Sequence, residues 1–160
     1  MGRNLSGESF EAVQSWLSSA KLSPEESAKF SAGLSYEDTG KDTGRWIDWM
    51  ASNLPEDAVR ENTDNLIGQW TQQDYLAAGN WLTATPEGPT KNAAVATYAE
   101  TVAEYEPQVA EQWAMTLPDG KQRQETLTNI YRNWPEEGKD AAEAFAKEHG
   151  IDTKAVKEGP

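Results

Sequence analysis

The sequence predicts an all-α protein, an α-α superhelix (solenoid) of about four helical hairpins with a period of roughly 32 residues and a terminal helix. Three observations predict it. The segment AGNWLTATPEG from Ala78 recurs as AEQWAMTLPDG from Ala110, so Trp81 and Trp113, Pro86 and Pro118, and Ala78 and Ala110 are separated by one and the same step. That step also carries Trp113 to Phe145, Ala110 to Ala142 and, backwards, Trp81 to Trp49, with Trp16 a single position short of the next return. Between these anchors apolar residues recur at intervals of three and four, one face of a helix. A fixed period of this size is the signature of stacked repeats, in which each unit has an apolar face that its neighbour covers.

Residues 1–7 read as a disordered tail, 8–150 as a single repeat domain and 151–160 as a flexible C-terminal tail. A first helix, near Gly7 to Ser19, aligns Phe10, Val13, Trp16 and Leu17. SPEE at Ser23 opens a second, with Ala28, Phe30, Leu34 and Tyr36 inward, and Asp38 to Gly44 closes the hairpin as a polar loop. The second hairpin joins Trp46, Trp49 and Met50 to a longer helix through Val59, Leu66, Ile67 and Trp70. The third joins Tyr75, Ala78, Trp81 and Leu82 to Ala94, Val95, Tyr98 and Val102. The fourth joins Val109, Ala110, Trp113 and Leu117 to Leu127, Ile130, Tyr131 and Trp134. A last helix, Asp140 to Glu148, carries Ala141, Ala142, Phe145 and Ala146 and is capped by Gly150. A fifth hairpin begun in this way is expected of a segment cut from, or ending, a longer array.

The aromatic positions Trp16, Trp49, Trp81, Trp113 and Phe145 are expected to form a ladder inside the stack, since buried aromatics dominate packing energetics. Acids follow the prolines with bases four residues on: Glu25–Lys29, Glu56–Arg60, Glu87–Lys91 and Asp119–Arg123. Acid before base is the favourable order on a helix, worth about 0.2–0.5 kcal/mol per exposed pair. A repeated helix-start device therefore explains these cations without any partner, although they could also form a basic ladder gripping an acidic one. Ser23 and Thr85 are expected caps; Leu54 and Leu117 cannot cap, and those helices are expected to start at Asp57 and Asp119.

The units WMASNLPEDAVR from Trp49 and WAMTLPDGKQR from Trp113, each followed by a longer apolar-striped helix, resemble the tryptophan-rich α-solenoid repeats of large uncharacterised bacterial proteins. They are more distantly similar to tetratricopeptide and HEAT-like repeats. The tetratricopeptide pattern itself fits poorly, because its period is slightly longer and its first helix wants a small residue followed by tyrosine. The resemblance covers about residues 8–148 and implies a scaffold or binding surface without catalysis.

Chemistry is sparse. With 14 basic and 27 acidic residues the net charge is −13, which disfavours nucleic acid and anionic membranes. Cysteine is absent, which excludes disulfides and thiolate chemistry and fits any compartment. No stretch resembles a signal peptide or a spanning segment. The single histidine, His149, suits a helix C-terminus and cannot by itself build a catalytic triad. Acidic runs lack E-x-x-H or calcium-loop spacing, and the GKDTG at Gly40 lacks phosphate-loop spacing. No catalytic residue, metal site or cofactor is expected.

The expected function is a protein or peptide interaction module, with Tyr36, Tyr75 and Tyr105 near hairpin junctions as the candidate contacts. The alternative, motivated by the charge, is an acidic inhibitor or immunity-type protein that masks a basic site on its partner. Binding that weakens steeply with salt would favour the alternative.

Overall fold

The computed structural model describes residues 8–158, and every regular element among them is helical. In order these are α1 Phe10–Ala20, α2 Pro24–Ala32, α3 Tyr36–Thr39, α4 Thr43–Asn53 and α5 Glu56–Ala84. There follow α6 Pro89–Val102, α7 Pro107–Ala114, α8 Lys121–Arg132, α9 Lys139–Glu148 and α10 Thr153–Lys157. Single 3-10 turns cover Gly40–Asp42 and Glu136–Gly138. The chain divides into two compact units, one ending at Ala84 and the other beginning at Thr85. The tail assigned to residues 1–7 lies outside the described residues.

In the first unit the helix starts follow from side-chain caps. Ser9 accepts the Ala12 N–H, and Ser23 with Glu26 forms a reciprocal capping box in front of Pro24. The Ser23 N–H donated to Glu26 holds that carboxyl below the ordinary carboxylate range. Val13, Ile47, Met50, Leu66 and Ile67 are fully buried, and Phe10 meets Trp46 edge-on with ring centroids 4.9 Å apart.

Residues 38–44, expected as a polar loop, are helical instead. A second capping box, Ser35 with Asp38, starts α3, and the hydroxyls of Thr39 and Thr43 bond each other at 2.8 Å in the interior. Gly44 is buried because the Trp81 indole lies on it: a Cβ there would fall 2.3 Å from Trp81 Cδ1. Thr39 and Thr43 thus satisfy each other, Asp38 is held by Ser35 and Asp42 by Arg45, and the stretch leaves room for a tryptophan.

The sequence suggests two helices across residues 56–84, and α5 is indeed two helical arms that meet at a kink. Asp74 is the joint, with φ −154° and ψ 79°, and its Oδ1 accepts the Ala77 N–H at 3.0 Å. It acts as the N-cap of the second arm.

In the second unit α6, α7 and α8 pack mutually, and α9 packs on α8. Ala94, Val95, Ala99, Val102, Ala110, Ala114 and Ile130 are fully buried. The starts of α6 and α8 differ from expectation: the residues before them are Gly88 and Gly120, not Thr85 or Asp119. Glu87 and Asp119 therefore precede the helices, yet still reach Lys91 at 2.6 Å and Arg123 at 3.5 Å.

The end of α9 is a Schellman motif. The Ile151 N–H donates to the Ala146 carbonyl at 2.8 Å and Gly150 donates to Lys147 at 3.4 Å, with Gly150 at φ 65° as the motif needs. Ile151 is buried by this turn, and Asp152 caps α10 through the N–H groups of Lys154 and Ala155. Residues 153–157, expected within a flexible tail, are helical for that reason.

Two substitutions test the packing by urea unfolding. Gly44→Ala must displace Trp81 and is expected to cost about 1–3 kcal/mol, the usual range for overpacking. Thr63 is 1% exposed and its hydroxyl has no hydrogen-bond partner, whereas the sequence step that carries Trp81 to Trp113 carries position 63 to Val95. Thr63→Val is expected to stabilise by about 1 kcal/mol, because it removes an unpaired buried hydroxyl at nearly constant shape.

Candidate functional site

A cavity of about 510 Å³ opens in the second unit between the end of α8, the start of α9 and α10. Its aromatic wall is Tyr131 and Trp134. Trp134 is held from two sides: its ring lies 5.0 Å from Phe145, and a Cβ on Gly138 would come within 2.7 Å of its Nε1. Ala142 and Val156 complete the apolar lining.

The rim is charged. Arg132, Lys139 and Lys157 supply three cations, and Glu136 and Glu143 supply two carboxylates. This is a local positive balance on a chain of net charge −13. The Tyr131 hydroxyl donates to Glu143 at 2.9 Å, and Lys157 lies 3.5 Å from the same carboxylate. Burial pushes the Tyr131 phenol upward and Glu143 adds to it, so the phenol stays neutral at physiological pH. Arg132 donates to Asn129 at 2.9 Å, and Asn129 donates in turn to Glu100 of α6 at 3.0 Å. Asn133 reaches the Glu100 carbonyl at 2.9 Å, so the α8 end of the cavity is anchored to α6. The arrangement provides an aromatic and aliphatic wall with cations at its edge, suited to an apolar side chain flanked by carboxylates.

The three tyrosines singled out from sequence lie elsewhere. Tyr36 is half-buried at the start of α3, and its N–H donates to Gln69 Oε1 at 2.7 Å. Tyr75 is half-buried just after the Asp74 joint. Tyr105, 54% exposed, belongs to the other unit, in the turn between α6 and α7. The aromatic ladder also differs from expectation. Trp16 is 36% exposed, and three later members meet an aromatic earlier in the chain: Trp81 on Trp70 of the first arm of α5, Trp113 on Tyr98 of α6 and Phe145 on Trp134 just past α8. Of the basic ladder, Arg123 turns inward, donating through Nε to the Leu117 carbonyl at 2.9 Å. It satisfies a carbonyl left open beyond the end of α7.

His149 does sit at the C-terminus of α9, and its imidazole Nε2 meets Glu111 of α7 at 2.6 Å. That pairing, 38 residues apart, has no local motif to announce it. A smaller cavity of about 210 Å³ in the first unit is lined by Leu17, Lys21, Pro24, Trp49 and neighbouring polar residues.

Comparison with known proteins finds no matching family model, no matching curated protein and no matching solved structure.

Alkaline titration followed by tyrosine absorbance tests the electrostatics of the cavity. Tyr131 is expected to ionise above the ordinary tyrosine range. Glu143→Gln should lower its pKa by removing the neighbouring negative charge, and Tyr131→Phe should remove that component of the curve altogether.

Proposed function

We propose that this chain is a non-catalytic binding module of tandem helical hairpins, of the tryptophan-rich α-solenoid kind, whose cavity beside α10 receives an amphipathic helix of a partner protein. The observation that carries the reading is a contrast within the second unit. There α8, twelve residues long, packs on both α6 and α7 and buries Thr126, Leu127 and Ile130. Past the end of α8, by contrast, Tyr131, Trp134, Ala142 and Val156 line an open cavity with Arg132, Lys139 and Lys157 at its rim. A helix striped like α8 is the natural occupant, held at three- and four-residue anchors.

The repeat is supported by the element starts. The helices α4, α7 and α9 start at Thr43, Pro107 and Lys139, and the second arm of α5 starts at Tyr75, all on one evenly spaced grid. The starts of α6, α8 and α10, at Pro89, Lys121 and Thr153, keep the same step. Asp74 (φ −154°, ψ 79°) and Glu106 (φ −137°, ψ 73°), one repeat apart, share one backbone conformation. Burial follows the grid as well: Leu34, Leu66, Tyr98 and Ile130 are all buried, and so are Met50, Leu82, Ala114 and Ala146.

The net charge of −13 favours a second reading, an acidic protein that masks a basic partner. The two separate by salt dependence and by which residues matter.

The test uses a synthetic helical peptide with the apolar pattern of α8 and glutamate at its exposed positions. It is expected to shift tryptophan fluorescence on binding. Val156→Arg, which narrows the cavity, is expected to abolish the signal. Lys139→Glu with Lys157→Glu should weaken binding about three- to tenfold, in keeping with the modest worth of exposed charges. Equal binding to wild type and Val156→Arg would overturn the reading.

A further inference from the structure

We infer that Glu111, Glu148 and His149 form a binding site for a borderline divalent transition metal of the Zn²⁺ class, one that ties α7 to the end of α9. The inference stands on geometry independent of the cavity beside α10.

One ligand atom from each of the three side chains lies within 4.8 Å of the other two. The set is one imidazole nitrogen and two carboxylate oxygens, brought together from two helices. Its members differ in how firmly they are held. The His149 side chain is only 11% exposed, and its ring lies 4.6 Å from Phe145. Its backbone is fixed on both sides: the N–H donates to Phe145 at 3.0 Å, and the carbonyl accepts from Gln124 of α8 at 3.3 Å. The Schellman turn that follows sets where the peptide leaves the helix. Glu111 is 30% exposed and already meets Nε2, while Glu148 is exposed and swings into place from the last residue of α9.

Donors around a tetrahedral Zn²⁺ lie at about 2.0–2.2 Å from the metal, so neighbouring donors are roughly 3–3.5 Å apart. On binding, the hydrogen bond between His149 and Glu111 opens slightly and Glu148 closes in. Only the most exposed of the three side chains makes the larger movement. The C-terminus of α9 adds negative potential, which favours a cation at this point.

The ligand set also selects among metals. An imidazole donor with only two carboxylates suits Zn²⁺ and its transition-metal neighbours, whereas Ca²⁺ wants six to eight oxygens and Mg²⁺ a regular shell of them. Three protein ligands leave a fourth position for water. The inference is carried by the combination, a nearly buried imidazole aimed at one carboxylate with a second carboxylate in reach.

The test is calorimetric titration of the untagged full chain with ZnCl2, with MgCl2 as control, and the visible absorption of bound Co²⁺ as the report of a nitrogen-containing site. Zn²⁺ is expected to bind one per chain and raise the Tm, and Mg²⁺ to do neither. Glu148→Gln changes an exposed side chain and leaves the fold intact; it and His149→Gln are each expected to weaken Zn²⁺ binding at least about tenfold. Zn²⁺ affinity unchanged in Glu148→Gln and His149→Gln, Mg²⁺ binding as tight as Zn²⁺, or no Zn²⁺ binding by the wild-type chain would each overturn the inference.

Discussion

Short helices depend on their neighbours. In the second unit α6, α7, α8 and α9 run from eight to fourteen residues, at or below the length of about 12–15 at which an isolated helix is marginal in water. What holds them is an aromatic contact from one helix to the next: Tyr98 on Trp113, with centroids 5.6 Å apart at 70°, and Trp134 on Phe145 at 5.0 Å. In the first unit Trp70 and Trp81 do the same across the Asp74 joint at 6.0 Å. Such pairs contribute about 0.5–1.5 kcal/mol beyond the area they bury. The small residues Ala78, Ala110 and Ala142 are all buried as well.

Charge is arranged around that frame. The acidic excess keeps the exposed faces solvated, and several cations are engaged within the chain. Arg45 lies over the Phe10 ring at 4.2 Å and reaches Glu11 at 2.6 Å, joining α4 to α1. Arg123 closes an open carbonyl behind α7 while pairing with Asp119. The cations around the cavity beside α10 differ in standing at the edge of an apolar, concave surface. This makes that cavity the better candidate for a partner than the recurring acid–base pairs.

The parts of the candidate site are unequally legible in the sequence. Tyr131 belongs to the apolar stripe of α8 and its helix face follows from spacing alone, whereas Trp134, which the spacing places on the same stripe, stands just past the end of that helix. Their place on a cavity wall depends on where α9 and α10 stand beside the end of α8, which no spacing within α8 reveals. Residues 38–44 mislead because threonine, aspartate and glycine usually mark a loop; here Ser35 caps a short helix and two threonine hydroxyls satisfy each other. The position of His149 before Gly150 marks a helix end, but its carboxylate partner comes from α7, with the whole of α8 between them in the chain.

By itself the sequence determined that the chain is helical, which faces of the helices are apolar and, within a few residues, where most helices begin. These are local matters, set by a three-to-four-residue periodicity and by caps that act over a single turn. Only the tertiary structure decided which ring each tryptophan meets and that Glu111 reaches His149. Each of those depends on how far one packed helix extends past another, a distance to which residues remote in the chain contribute together.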